Sequence, residues 1–128
     1  MMDELIYKDP EPYVQINLEG IPKNIRAGEA FFVSIRVTPR SDISVSAIPP
    51  MRIRSISAPF KVTEVEVQLV DVKLNTEKPI RVLVQNVERK TGKQKVELEV
   101  QLSYCSDEEK WCRIGKKMLD FELEVSTE

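Results

Sequence analysis

Lys95-Val-Glu-Leu-Glu-Val-Gln-Leu-Ser-Tyr-Cys105 alternates apolar and polar residues until it reaches a cysteine. Successive strand side chains point to opposite faces, so a period of two predicts a β-strand with one buried face. Val96, Leu98, Val100, Leu102 and Tyr104 share one face, and Glu97, Glu99, Gln101, Ser103 and Cys105 the other. A short charged insert follows, Asp107-Glu-Glu-Lys110, then Trp111, Cys112 and Arg113. A second alternating run, Met118-Leu-Asp-Phe-Glu-Leu-Glu-Val125, leaves the insert with Leu119, Phe121, Leu123 and Val125 on its apolar face. The two runs predict a hairpin whose closed end, residues 104–113, holds both cysteines of the chain.

Parity tests that hairpin. If Cys105 lies opposite Cys112, then Leu98 meets Leu119 and Val96 meets Phe121, and the apolar residues share one face throughout. A bulge at Gly115 is the one feature that would shift the register. Opposed residues in an antiparallel pair have Cα atoms about 4.5 to 5.5 Å apart, inside the usual disulfide range of about 4.4 to 6.8 Å. A Cys105–Cys112 bond on an accessible strand end is therefore geometrically reasonable.

Outside the hairpin the same alternation recurs at residues 13–18, 30–37, 43–48, 60–72 and 80–85, separated by turn-forming glycines, prolines and asparagines. In the fourth of these runs Val65, Val67 and Leu69 read as inward, with a phase slip at Val70 and Val72. Seven strands without helical periodicity predict an all-β, immunoglobulin-like antiparallel sandwich. Its two cysteines share a hairpin, so they do not bridge two sheets as in antibody domains. Residues 1–12 read as a loose, polar lead, and 13–128 as one domain.

Composition removes several function classes. The chain has no histidine, which excludes Ser-His-Asp and Cys-His catalysis. Two cysteines supply only two soft ligands, so no metal site and no cofactor is expected. A net charge of -2 without a basic stripe argues against nucleic acid and acidic membranes. No apolar run approaches a membrane helix, and the N-terminus has no apolar signal region.

The alternating strand ending Leu-Ser-Tyr-Cys105, the acidic insert, the second cysteine and the final Leu-Asp-Phe-Glu-Leu123 strand resemble the N-terminal domain of the thiol:disulfide interchange protein DsbD and its relatives. Residues 21–37, a proline-bearing segment leading through Ala-Gly-Glu29 into a strand, are similar to the opening of that domain. The resemblance implies an immunoglobulin-like fold and a reversible disulfide between Cys105 and Cys112. It also implies a cap loop over the pair, a preceding aromatic at Tyr104 and a thioredoxin-fold partner. The chain departs from the family in having six residues between the cysteines and Arg113-Ile-Gly-Lys116 after them.

Two functions follow: a thiol:disulfide exchange module, and a non-catalytic interaction module whose hairpin disulfide is a staple. For exchange, Lys110 and Arg113 favour a thiolate at Cys112, whereas Asp107, Glu108 and Glu109 oppose one at Cys105. Ser106 and Glu109 have capping-box spacing. Trp111 either packs over the disulfide, marks a docking patch, or joins the core. The irregular stretch 49–60, with Met51 and Phe60, is a candidate lid over the cysteines. A complete chain implies a cytoplasmic location, and a piece of a membrane protein an extracytoplasmic one.

Overall fold

Phe31, Val33, Ile35 and Val37 are buried, and the residues between them are exposed or half-buried. Such alternation gives a strand one face for a core and one for water. In the computed structural model, which describes residues 9–48 and 50–127, these residues lie in β3 (Ala30–Pro39). β3 sits in a four-stranded sheet ordered β1 (Val14–Glu19), β3, β9 (Ile80–Asn86) and β6 (Phe60–Glu66). The facing sheet runs β2 (Asn24–Arg26), β11 (Trp111–Ser126), β10 (Gly92–Ser106), β4 (Ile43–Ser46), β8 (Lys73–Leu74) and β7 (Leu69–Val70). A further strand, β5 (Arg52–Ser55), also pairs with β10. Every pairing is antiparallel except β2 with β11.

The core lies between the sheets. Val14, Ile35, Val82 and Val84 from one sheet and Val96, Leu98 and Val100 from the other are fully buried. Phe31 makes edge contacts with Phe60 at 6.4 Å and Phe121 at 6.3 Å, joining the two layers. Burying one such aliphatic side chain contributes about 1.5 to 3 kcal/mol, so the predicted inner face of β10 is the main hydrophobic surface of its sheet.

The sandwich is as predicted, but the described residues form eleven strands where seven were expected. The additions, β2, β5, β7 and β8, have four residues or fewer, too short to show a period of two. β7, together with the crossing that leads to β8, comes from the long strand predicted over 60–72. A register shift between Val62 and Glu64 reverses the parity of β6, and after Glu66 the chain crosses to the other sheet. Val65, Val67 and Leu69, expected inward, are exposed: Val65 lies opposite the buried Val82 and keeps that face, but with Val67 and Leu69 it lines a surface groove where the chain leaves the sheet.

Between β2 and β3 the chain changes sheets through a tight turn. The Glu29 N–H donates to the Arg26 carbonyl at 3.0 Å, and Gly28 takes φ +84°, as the third position of a type II turn requires. Of the predicted loose lead, residues 1–8 lie outside the described residues. In residues 9–12 the Pro10 carbonyl accepts from the Tyr13 N–H at 2.9 Å, and Lys117 Nζ reaches Asp9 at 3.1 Å and Glu11 at 2.9 Å.

Candidate functional site

All fifteen residues of β10 pair with β11, from Gly92 opposite Val125 to Ser106 opposite Trp111. Leu98 faces Leu119, Val96 faces Phe121 and Cys105 faces Cys112, which is the predicted register. Gly115 carries no bulge; it sits buried opposite Leu102. The strands are joined by residues 107–110. The Glu109 N–H donates to Ser106 Oγ at 3.1 Å, the bond expected of a capping serine, and the Lys110 N–H donates to the Ser106 carbonyl at 3.0 Å. Lys110 closes the loop in the left-handed region at φ +60°. The insert is thus a single capped turn, closed by an i+4 to i bond and not continued into a helix.

This turn brings the cysteines together as a disulfide, with Cα atoms 4.0 Å apart. Both project from the outer face of the sheet, as parity predicts. Cys105 is half-buried, with Ser44 of β4 as its other cross-strand neighbour, and Cys112 is exposed. Among the described residues β11 has no strand on its far side at this level, since β2 pairs only with Glu124, Val125 and Ser126.

The aromatic residues occupy the opposite face of the hairpin. Tyr104, opposite Arg113, stacks on Tyr13 at 5.9 Å, and Trp111 meets Tyr13 edge-on at 5.1 Å and Tyr104 at 6.1 Å. Burial pushes the Tyr104 phenol above its ordinary value, against the opposing influence of Arg113. Trp111 therefore packs partly into the core and does not cover the disulfide. The Arg113 guanidinium lies 4.3 Å from the Trp111 ring and 5.3 Å from that of Tyr13, so the cation expected to favour a Cys112 thiolate is engaged on the other face. Lys110 is exposed in the turn. Of the three loop carboxylates, Asp107 lies 3.7 Å from Lys73 Nζ, and Glu109 accepts the Trp111 Nε1 hydrogen bond at 2.8 Å.

The predicted lid does not form over the cysteines. Pro49 lies outside the described residues. β5 continues the line of β4 along β10, with Ser46 opposite Ser103 and Arg52 opposite Gln101. Phe60 is buried against Phe31 and paired with Asn86 in the other sheet. Phe31 in turn meets Phe121, opposite Val96, which lies nine residues and roughly 30 Å along β10 from Cys105. Met51 lines a groove of 180 Å³ with Ala47, Pro50, Val65, Val67 and Leu69, and packs partly against the core. Strand pairing and the aromatic core claim the residues that were read as a cap.

Two cations of the same outer face, Arg52 and Arg54, level with positions four and six residues along β10 from Cys105, were missed by the sequence reading. They flank Ile53, which is buried between the two exposed arginines in a strand too short for its alternation to be read. Comparison of the chain with protein-family models, with curated proteins and with solved structures finds no match.

Proposed function

We propose that the protein is a thiol:disulfide exchange module, passing electrons between a thioredoxin-fold partner and an oxidised protein through a reversible Cys105–Cys112 bond, as its resemblance to the DsbD N-terminal domain implies. The observation that carries the reading is the placement of the disulfide. It stands on the outer face at the closed end of the hairpin with Cys112 exposed, whereas inert structural cysteines belong among core side chains. In the exchange, a partner thiolate attacks one sulfur, an intermolecular S–S bond forms, and the other cysteine leaves as a thiolate. The partner's second thiolate then attacks the mixed disulfide. The partner becomes oxidised, and Cys105 and Cys112 carry the two electrons to the next disulfide by the reverse steps.

The competing reading, an interaction module with a stapled hairpin, draws support from the short loop, whose closure stabilises the fold by about 2.5 kcal/mol on the chain-entropy model. Against it, the continuous pairing of β10 with β11 already fixes both cysteines without the bond. The test is the rate at which a reduced thioredoxin-fold protein opens the disulfide, against dithiothreitol at equal thiol concentration. An exchange module reacts faster with the protein reductant; a staple reacts no faster with it.

A further inference from the structure

We infer that the outer face of the seven-stranded sheet is the surface on which the exchange partner docks, and that this partner carries an acidic patch beside its reactive thiol. The inference rests on the exchange reading. Moving along the strands from the disulfide, the next outward positions are Ser103 and Ile114, and beyond them Arg52, Gln101 and Lys116 form one row across β5, β10 and β11. Arg54, Glu99 and Met118 form the row after that. The first cationic row is four residues from the cysteines, about 13 Å.

Three cations thus surround one carboxylate. Glu99 Oε1 lies 2.9 Å from Arg54 Nε and 4.0 Å from Lys116 Nζ, while Arg52 has no ion pair among the described residues. Arg52, Arg54 and Lys116 against Glu99 leave a net charge of +2 around a polar depression of 250 Å³. Farther from the disulfide Lys95 pairs with Asp120 at 3.7 Å and Lys93 with Glu122 at 3.3 Å, and Glu97 and Glu124 make those rows net acidic. On its other side lies the turn, with Asp107, Glu108, Glu109 and Lys110. The disulfide therefore sits between a cationic band on the flat face and an acidic turn at the tip. An acidic partner surface is attracted over the sheet and repelled over the turn, which orients its thiol toward the exposed bond.

The test uses the oxidised full chain and three synthetic Cys-X-X-Cys dithiol peptides flanked by aspartate, serine or lysine. Each reduction rate is divided by that peptide's rate with uncharged hydroxyethyl disulfide, which removes differences in thiol reactivity. At low salt the aspartate peptide is expected to exceed the lysine peptide about tenfold. That ratio should fall toward one in about 0.5 M salt and in the Arg52→Gln, Arg54→Gln double variant, whose serine-peptide rate and circular dichroism stay those of the parent. An equal or reversed preference in the parent, or an undiminished one in the double variant, overturns the docking surface. If the serine peptide reduces the disulfide readily but charge has no effect, the docking surface alone fails. If no peptide opens the disulfide, the exchange reading fails and the inference with it.

Discussion

Tyr104 and Cys105 are neighbours in sequence and lie on opposite faces of one strand. Tyr104 is 3% exposed and stacks on Tyr13 inside the sandwich, and Cys105 points outward into its bond with Cys112. The hairpin thus separates its core packing from its disulfide by parity. One face anchors the closed end through Tyr104, Trp111 and Tyr13, and the other carries the sulfurs.

The anchoring face should dominate stability. Leu98 is fully buried opposite Leu119, and Leu98→Ala is expected to cost about 2 to 5 kcal/mol. Met118, on the outer face and 47% exposed, should lose no more than about 0.5 kcal/mol on replacement by alanine. Urea unfolding of the two variants measures the contrast, and equal losses would contradict the assignment of faces.

The turn depends on a left-handed residue. Lys110 holds φ +60°, a conformation that β-branched side chains resist and glycine accepts. Lys110→Val is expected to destabilise the protein by about 1 to 3 kcal/mol, and Lys110→Gly to leave it within about 0.5 kcal/mol of the parent. Thermal unfolding of both variants distinguishes this from a role for the lysine charge, which both remove.

The cationic band should show in the acid limb. The hydrogen bond from Arg54 holds the Glu99 carboxyl below its ordinary value, opposed by partial burial and assisted by the charges of Lys116, Arg54 and Arg52. A carboxylate with a lowered folded-state pKa stabilises the fold above its unfolded value, about 4.3 for glutamate, and loses that contribution as pH falls through the folded value. Glu99→Gln is therefore expected to be less stable than the parent at pH 7, with the gap closing as pH falls below about 4. Unfolding free energies from pH 7 to 3 measure it; a gap independent of pH would contradict the pairing.

How far the sequence could be read follows from strand length and parity. The eleven-residue alternation from Lys95 to Cys105 suffices to place Cys105 opposite Cys112, because an unbroken period of two over a long pair leaves one register that buries the apolar residues. Ser106 and Glu109 likewise announced their capping bond. The bulge beside Val62 was not legible, since the residues around it alternate on either side and only the pairing with β9 reveals the slip. Phe60 misled for a related reason: an aromatic residue after an irregular stretch reads the same whether it caps a site or enters a core, and Phe31 decides the matter from far away in sequence.

The most direct test of the exchange reading is the reduction potential of Cys105–Cys112, measured by equilibrating the protein with dithiothreitol buffers and counting free thiols. Exchange requires a bond that physiological dithiols can open, so the expected value lies above about -300 mV, near the thioredoxin range of about -270 mV. A value well below about -300 mV would make the disulfide a structural staple and contradict the exchange function.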